Sequence, residues 1–375
     1  MPIDEDNLRQ LRRALELAET AIGRCDPNPR VGCVVHDALG RLAGEGATQQ
    51  AGSAHAEVGA LRAAQAAGID VAGGTAWVSL EPCSHRGKTP PCCDALIEAM
   101  LARVVVASID PNPLVAGSGV QRLRDAGVTV ELASGDVTQL TRELNIGFFS
   151  RMLRQRPWVR MKIAASLDGR TALDNGQSQW ITGETARTDG HAWRRRASAV
   201  LTGAGTVIED NPRLDVRLVP SERQPLRVVI DSRLQTLPAS KIYDAPGQAL
   251  VYCAQATDAL AGPLRARGVE IVERPGANDK VDLMAVLADL AARGVNELHV
   301  EAGERLNGSF LREGLVDELL VYLAPKLLGT GRGMFLGPQL ERLQDADALT
   351  FVGVDRVGGD LRVVARIAGR DAFLA

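Results

Sequence analysis

Strand-like and helix-like runs alternate along nearly the whole chain, and this alternation restricts the fold more than any other feature of the sequence. In the first half, the apolar runs at 31–36, 75–80 and 103–108 have the pattern of short buried strands. The runs 55–68 and 93–101 repeat apolar residues at helical spacing. Such an alternation predicts an α/β fold with a largely parallel sheet and helices on both of its faces.

The alternation is interrupted once, near the middle of the chain. A helical segment spans roughly 136–155, and Pro157 ends it because proline lacks the backbone N–H that a helix needs. Strand-like and helix-like runs begin again at 158–166. A chain of 375 residues is also too long for one ordinary hydrophobic core. We therefore predict two α/β domains, which span residues 1–150 and 151–375.

Charge and composition narrow the class of function. The formal net charge is -3 and aromatic residues make up 3% of the chain, so the basic surface and stacking aromatics of a nucleic-acid-binding protein are not evident. No apolar run is long enough to cross a membrane, and the amphipathic N-terminus has no signal-peptide core. The six cysteines do not resemble a disulfide framework. We expect a cytoplasmic protein with a small-molecule substrate, no nucleic-acid partner and no membrane partner.

Four residues of the first domain predict a zinc-dependent deaminase site. His55 and Glu57 open a predicted helix. Cys83 lies in the segment Glu81-Pro82-Cys83, which directly follows the predicted strand 75–80, and Cys92 lies at the start of the next helix. An imidazole and two thiolates suit Zn²⁺, and three protein ligands leave a position for water, whose pKa the metal lowers to about 7. The carboxylate of Glu57 can then move protons between that water and a departing amine without binding the metal.

Other interpretations of these residues stay open at this point. Cysteines near the end of a strand are most often buried and inert, and a single His-x-Glu pair carries little information. A structural zinc site would need a fourth protein ligand, which Cys93 could supply. The catalytic interpretation is favoured because all the features occur in one order and on the elements that the chemistry requires.

The segments HAEVGAL and EPCSHRGKTPPCCDAL resemble the deaminase half of the bacterial bifunctional riboflavin-biosynthesis deaminase/reductase family, within the cytidine-deaminase-like superfamily. Eight residues separate Cys83 from Cys92, which is similar to this family and unlike the commoner deaminase motif with its shorter spacing. The resemblance implies zinc as a cofactor. It also implies that a pyrimidine and phosphoribosyl pocket is lined by Asn28, Lys88, Asp110 and Asn112. Alternatively, the Asn-Pro pairs of these segments only cap turns.

The second half has no Gly-x-Gly-x-x-Gly after its first strand, so a Rossmann site is not supported. Gly303 lies between a predicted strand and the start of a helix, whose free backbone N–H groups could hold a phosphate. The run 201–212 has a similar form. By pattern alone, either could equally be an ordinary α/β connection.

The segments MKIAASLDGRTA, GAGTVIEDNPRLDVR and HVEAGERLNGSFL resemble the reductase half of the same family, which has a dihydrofolate-reductase-like fold. With the deaminase motifs, this resemblance covers nearly the whole chain and implies NADPH as a second cofactor. The implied NADPH contacts are Ala164, Trp180, Thr206, Asp210, Ser232, Gly303, Glu304, Arg305, Leu306, Asn307, Gly308 and Ser309. The implied substrate contacts are Lys162, Ser178, Arg194, Leu214, Arg217 and Glu301.

The chemistry of these positions agrees in part with the resemblance. Arginines such as Arg194 and Arg217 suit a sugar phosphate because they bind it bidentately, although the run 194–196 could also be a solvated charged surface. Lys162 and Asp210 are candidates to handle the proton that accompanies hydride transfer.

The resemblance implies a two-step enzyme of riboflavin biosynthesis. The first step would be zinc-dependent hydrolytic deamination of 2,5-diamino-6-(5-phosphoribosylamino)pyrimidin-4(3H)-one. The second would be NADPH-dependent reduction of the ribosyl group of 5-amino-6-(5-phosphoribosylamino)uracil to ribityl. We also expect a homo-oligomer. The alternatives are a zinc deaminase for another nucleotide or a nucleic-acid base with an inactive second domain, and a zinc-stabilised binding module without turnover.

Overall fold

The chain folds into two compact units. The computed structural model describes residues 4–86, 90–337 and 339–375. The first unit ends at Gln155 and the second begins at Arg156, a few residues beyond the predicted division between residues 150 and 151. None of the helices in the described part of the chain combines the length and the apolar character needed to cross a membrane.

The strands described in the first unit form a five-stranded sheet. The elements are α1 (Glu5–Glu19), β1 (Gly32–His36), β2 (Leu42–Ala47), α2 (Ala56–Ala66), β3 (Thr75–Val78), α3 (Cys92–Glu98), β4 (Arg103–Val106), α4 (Ser118–Asp125), β5 (Thr129–Leu132), α5 (Asp136–Leu144) and α6 (Ile146–Arg154). The strand order is β2-β1-β3-β4-β5. Strand β1 is antiparallel to both of its neighbours, whereas β3, β4 and β5 are parallel to one another.

Helices α1 and α2 lie on opposite faces of this sheet. Gly32 on β1 closely approaches α1, because a Cβ atom there would lie 1.9 Å from the carbonyl oxygen of Ala14. Gly46 on β2 approaches α2 in the same way, with 2.2 Å to the carbonyl oxygen of Ala56. Gly46 is paired with Cys33, the neighbour of Gly32, so the two glycines face opposite sides of the sheet. The predicted arrangement of helices on both faces is confirmed.

We expect Gly46→Ala to destabilise the first unit by about 1–3 kcal/mol, as overpacking does, and to weaken zinc binding. The new Cβ atom would press on Ala56, at the start of the helix that follows His55. Thermal unfolding and the zinc content of the purified protein measure the two effects. Gly59→Ala is the matched control, because its Cβ atom would lie 3.5 Å from the nearest atom. Equal losses in both variants would contradict the packing argument.

The helical segment predicted at roughly 136–155 consists of two helices, α5 and α6, with a break at Asn145. Asn145 has φ -104° and ψ 18°, and its side chain binds the backbone of Arg30. Its Oδ1 accepts from the N–H of Arg30 at 2.7 Å, and its Nδ2 donates to the carbonyl of Arg30 at 2.9 Å. The break therefore coincides with a long-range contact, which the local periodicity does not reveal.

The strands described in the second unit form a nine-stranded sheet. The elements are β6 (Trp158–Ser166), α7 (Glu184–Arg196), β7 (Ala199–Gly203), α8 (Ala204–Asp210), β8 (Leu226–Ile230), α9 (Lys241–Asp244), β9 (Ala249–Cys253), α10 (Asp258–Arg265), β10 (Glu270–Glu273), α11 (Leu283–Ala292), β11 (Glu297–Val300), α12 (Glu304–Arg312), β12 (Glu318–Ala324), β13 (Leu349–Val357) and β14 (Asp360–Ile367). The strand order is β10-β9-β8-β7-β11-β6-β12-β14-β13. The strands from β10 to β12 in this order are parallel, and β14 is antiparallel to both of its neighbours.

Both faces of the parallel part of this sheet are buried. Leu201 and Val228 belong to a core cluster that includes residues of α11 and α12. Val200 and Val229 are the neighbours of Leu201 and Val228 on the same strands. They belong to a second cluster that includes residues of α8 and α10. Successive side chains of a strand point to opposite faces, so each face has its own layer of helices.

Candidate active sites

In the first unit the structure brings the three predicted zinc ligands together. The donor atoms of His55, Cys83 and Cys92 all lie within 4.8 Å of one another. The Nδ1 atom of His55 is 3.6 Å from the Sγ of Cys83 and 3.3 Å from the Sγ of Cys92. One imidazole nitrogen and two cysteine sulfurs at these separations form a donor set that suits zinc.

Three different elements position these ligands. His55 is the N-cap residue of α2, Cys83 follows the end of β3, and Cys92 is the first residue of α3. The backbone N–H of Cys92 donates to the Sγ of Cys83 at 3.3 Å. A hydrogen bond from the Cys92 thiol lowers the pKa of Cys83 to about 4, and the same bond together with burial raises the pKa of Cys92. The cluster therefore favours a thiolate at Cys83.

Glu57 lies in the first turn of α2 and is 3% exposed. Burial raises the pKa of Glu57 to about 7, and the negative charge of Cys83 acts in the same direction. A hydrogen bond with Cys83 raises the pKa of His55. Glu57 is thus a buried carboxyl group whose charge is coupled to the ligand cluster without being part of its donor set.

Cys93 does not face His55. Its Sγ donates to the carbonyl oxygens of Pro82 at 3.3 Å and Gly119 at 3.5 Å. Burial raises the pKa of the Cys93 thiol, which favours the neutral form. The neighbouring cysteine therefore does not complete the donor set as a structural zinc site would require.

The other residues predicted for the first site lie in turns or outside the described part. Lys88 is outside the described residues. The Oδ1 of Asp110 accepts from the N–H of Asn112 at 2.8 Å, and the Oδ1 of Asn112 accepts from the N–H of Leu114 at 3.1 Å. The N–H of Asn28 donates to the carbonyl of Cys25 at 3.0 Å. Asp110 and Asn112 therefore cap turns, which does not prevent their remaining polar atoms from binding a ligand.

Asp110 is also electrostatically coupled to the metal cluster. It is 6% exposed, and burial raises its pKa to about 7, with smaller contributions from the charges of Glu81 and Cys83. The loop that carries Asp110 is therefore close to the ligand that follows β3.

In the second unit, a cleft of about 1650 Å³ opens at the carboxyl ends of adjacent parallel strands. Ala164 of β6, Gly203 of β7, Ser232 after β8 and Glu301 after β11 line it. Open α/β sheets bind their ligands at this edge.

Nearly all the residues predicted for the second site line this one cleft. They are Lys162, Ala164, Ser178, Trp180, Arg194, Thr206, Asp210, Leu214, Arg217, Ser232, Glu301, Gly303, Glu304, Arg305, Leu306, Asn307 and Ser309. Gly308 is not among the residues that line the cleft. Gly308 is buried in α12, where a Cβ atom would lie 2.1 Å from the carbonyl oxygen of Leu336, a residue that does line the cleft, so its cofactor contact stays a prediction.

Glu301 is the centre of a charged group in the cleft. Arg194 donates to its carboxylate with both Nε, at 2.5 Å, and Nη2, at 3.0 Å. The Nζ of Lys162 is 3.5 Å from Glu301 Oε2. Burial raises the pKa of Glu301, but the charges of Arg194 and Lys162 outweigh burial and hold this pKa well below its usual range. Arg194 therefore points inward and is not part of a solvated charged surface.

Asp210 and Ser178, predicted for the cofactor and the substrate respectively, are in direct contact. The Ser178 hydroxyl donates to Asp210 Oδ1 at 3.3 Å. Burial raises the pKa of Asp210, and the negative charge of Glu209 acts in the same direction. The carboxyl group of Asp210, which can bind a proton, therefore lies in the part of the cleft where both the cofactor and the substrate are expected.

Two residues near the cleft, Asp215 and His191, were not predicted from the sequence. The carboxylate of Asp215 accepts from Arg213 at 2.9 Å and from Arg217 at 2.6 Å. His191 is 4% exposed, and its Nδ1 accepts from the backbone N–H of Arg217 at 3.2 Å. Burial, together with the charges of Arg194 and Arg217, lowers the pKa of His191 to about 4. The alternation of arginine and acidic residues in RLDVR was a signal for Asp215, whereas nothing local indicated His191.

Both halves of the chain match known protein families. Residues 4–108 match the cytidine and deoxycytidylate deaminase zinc-binding region. Residues 157–363 match the RibD C-terminal domain. The riboflavin biosynthesis protein RibD of Escherichia coli is 44% identical over 364 residues, which cover 94% of this chain and 96% of that protein. The chain belongs to the RibD family.

Solved structures agree over the full length. Acinetobacter baumannii RibD has a TM-score of 0.87 at 39% identity and covers 97% of this chain and 99% of its own. A diaminohydroxyphosphoribosylaminopyrimidine deaminase/5-amino-6-(5-phosphoribosylamino)uracil reductase of Thermotoga maritima has a TM-score of 0.84 at 31% identity, with 96% and 99% coverage. RibD proteins are deaminases and reductases of riboflavin biosynthesis, and this chain contains both RibD domains, the first of them cytidine-deaminase-like.

Zinc fits the first of these domains. The donor set of His55, Cys83 and Cys92 has the nitrogen and sulfur chemistry that zinc prefers, and Glu57 is buried beside it. The family region matched here is itself described as zinc-binding.

NADPH, the cofactor of the reductase half of this family, fits the cleft of the second domain. The N-terminus of α12 opens into the cleft from Gly303 without a side-chain cap, so its first N–H groups are available to a phosphate. The nearest atom to a Cβ built on Gly303 is 3.8 Å away, and the buried Oδ1 of Asn307 has no partner among the described atoms.

Proposed function

We propose that this chain performs both steps with the residues that converge in its two units. The first unit deaminates 2,5-diamino-6-(5-phosphoribosylamino)pyrimidin-4(3H)-one. The second reduces the ribosyl group of the product, 5-amino-6-(5-phosphoribosylamino)uracil, to ribityl. The observation that carries the proposal is the convergence of His55, Cys83 and Cys92 beside the buried Glu57.

In the first unit, His55, Cys83 and Cys92 hold zinc. When bound, zinc supplies a Lewis acid that makes water a competent nucleophile near neutral pH. Glu57 accepts a proton from the water at its carboxylate and delivers a proton to the amine that leaves the pyrimidine ring. Its burial excludes bulk water from this transfer. Asn28, Lys88, Asp110 and Asn112 contact the pyrimidine and its phosphoribosyl group.

In the second unit, NADPH would bind in the cleft and, when bound, would supply the hydride. Ala164, Trp180, Thr206, Ser232 and the start of α12 contact it. Glu301 fixes the direction of Arg194 through two hydrogen bonds, so that the guanidinium and the nearby Arg217 face the substrate cleft. Lys162 and Asp210, which both line the cleft, are the candidates to supply the proton that accompanies reduction.

Mass spectrometry of the purified protein with the diaminopyrimidine phosphate tests this function. Without NADPH, we expect the mass change of an amine replaced by a hydroxyl. With NADPH, we expect the further gain of two hydrogens. A protein that changes neither mass, at full zinc occupancy, would refute the proposal.

Arg217→Ala is expected to raise the KM for the phosphorylated uracil intermediate by roughly tenfold or more and to leave the KM for NADPH nearly unchanged. A charge-assisted hydrogen bond to a phosphate is worth about 1.5–3 kcal/mol, and Arg217 lies on the cleft wall with only Asp215 as its ion-pair partner in the described part of the chain. Steady-state NADPH oxidation with each substrate varied in turn measures both constants. Arg213→Ala, which removes the other partner of Asp215, is the control. A larger effect on the NADPH constant would contradict the assignment to substrate.

A homo-oligomer is also proposed, with β13 at its interface. Among the described strands, β13 is the last of its sheet, and it exposes Phe351 by 71% and Val354 by 56%. An exposed apolar edge strand pairs readily with another chain. Sedimentation analysis of the wild type and of Phe351→Glu tests this: we expect an oligomer that the substitution dissociates, and a monomeric wild type would refute it.

A cytoplasmic location is proposed from the state of the cysteines. All six cysteines are free, and two of them lie in the zinc donor set. Reduced thiols of this kind persist in a reducing compartment. Fractionation of cells with detection of the protein tests the location.

A further inference from the structure

Glu81, which lies two residues before Cys83, is a buried carboxylate with an unusual set of partners. It is 3% exposed. Its Oε1 accepts from the backbone N–H groups of Gly119 at 2.9 Å and Val120 at 3.0 Å. Its Oε2 accepts from those of Asp110 at 3.2 Å and Gly117 at 2.9 Å. A single side chain thus satisfies four backbone donors.

These donors belong to one continuous part of the chain, the loop between β4 and α4 and the first turn of α4. The loop contains Asp110 and Asn112. The N-cap residue of α4 is Gly117, which has no side chain to cap the helix. Glu81 therefore takes the place of the missing cap and ties the start of α4 to the end of β3.

The first turn of α4 and the segment that follows β3 are also in close contact. A Cβ atom on Gly119 would lie 2.1 Å from the carbonyl oxygen of Pro82. Pro82 joins Glu81 to Cys83 directly, and proline restricts the backbone between them. One tripeptide therefore carries both a ligand of the zinc donor set and the anchor of the neighbouring loop.

We propose that Glu81 is a positioning residue for the deaminase substrate. It keeps the loop of Asp110 and Asn112 at a fixed position relative to the zinc ligand Cys83. This inference rests on the proposed function, because the loop is taken to contact the pyrimidine or its phosphoribosyl group. Glu81 acts through the loop and does not itself touch the reacting atoms.

The two equivalent acceptor oxygens of the Glu81 side chain are essential to this role. Each oxygen accepts two N–H groups, so a glutamine side chain must turn its NH₂ group towards two donors whichever way it is oriented. Two buried backbone donors then lose their acceptor, and the loop moves to satisfy them.

The test compares Glu81→Gln with the wild type in the zinc-loaded full chain. We expect the KM for the diaminopyrimidine phosphate to rise roughly ten- to hundredfold, with a smaller change in kcat. Zinc content and NADPH oxidation with the deaminated intermediate stay at wild-type values. A merely structural role would lower the fraction of active protein, and hence kcat, without changing KM.

Asp37→Asn is the matched control. Asp37 is also a buried carboxylate of the first unit that accepts backbone N–H groups, from Leu39 and Arg41 at 2.9 Å each. It follows His36, which pairs with Thr75 at the start of β3, whereas Glu81 lies beyond the end of that strand. We expect Asp37→Asn to lower thermal stability and to leave KM unchanged.

The outcomes separate the two proposals. A wild type that releases no ammonia from the diaminopyrimidine phosphate refutes the proposed function. An active wild type with an unchanged KM in Glu81→Gln, or with equal KM increases in Glu81→Gln and Asp37→Asn, refutes the role of Glu81. Where Glu81→Gln does not fold, Glu81→Asp replaces it. This variant keeps both oxygens but withdraws them, so a smaller rise in KM is expected, and no rise overturns the role.

Discussion

Glu57→Gln is expected to reduce ammonia release by roughly 10²–10⁴-fold, the contribution typical of a positioned general acid–base group. The amide keeps the size of the side chain but can neither accept nor deliver the proton. Glu57 is buried beside the donor set and is not one of its ligand residues, so zinc content is expected to stay at the wild-type value. Ammonia release, measured with a coupled assay at saturating substrate, gives the effect directly.

The same variant tests whether the two sites work independently. When the deaminated intermediate is supplied, NADPH oxidation by Glu57→Gln is expected to equal that of the wild type. Glu45→Gln is the control, because Glu45 lies on β2 of the same unit and its carboxylate pairs with Arg13 at the surface. Loss of both activities in folded Glu57→Gln would contradict independent sites. Unchanged ammonia release would favour the zinc-stabilised module without turnover.

Glu297→Ala is expected to destabilise the second unit by about 3–5 kcal/mol, the cost of removing one partner from a buried ion pair. The Glu297 carboxylate is 1% exposed and accepts from Arg160 at 2.8 Å and Arg196 at 2.9 Å. Arg160 is itself 2% exposed, also pairs with Glu318, and lies over the Trp193 ring. Without Glu297, the guanidinium groups of Arg160 and Arg196 each lose a carboxylate partner, and that of Arg160 is buried.

Thermal unfolding measures this loss, which corresponds to a decrease in Tm of roughly 10 °C for a unit of this size. The control removes a surface ion pair of the same unit. Glu270 pairs with Arg293 at 2.7 Å, but its side chain is 54% exposed, so Glu270→Ala is expected to cost less than about 1 kcal/mol. Similar decreases for both variants would show that burial does not decide the contribution of the Glu297 network.

The zinc ligands of the first unit could be predicted from the chemistry of the sequence, whereas the cleft residues of the second unit could not. His55, Cys83 and Cys92 were identified because their chemistry is rare and each lies at the end of a recognisable element. The cleft residues depended on family resemblance, since polar residues after strands are common in α/β proteins. The resemblance gives residues 303–309 as one contiguous loop, whereas in the structure Gly308 is buried within α12.

The sequence alone was sufficient to predict the α/β organisation in two units, many of the strands and helices, and the residue types of the zinc site. These properties depend on periodicity and on the intrinsic chemistry of side chains, which are local. Three contacts became evident only in the folded chain: Asn145 divides a helix by binding Arg30, Arg194 pairs with Glu301, and Glu81 binds four backbone groups of a distant loop. Such partners are chosen by the packing of elements far apart along the chain, so no local pattern specifies which donor meets which acceptor.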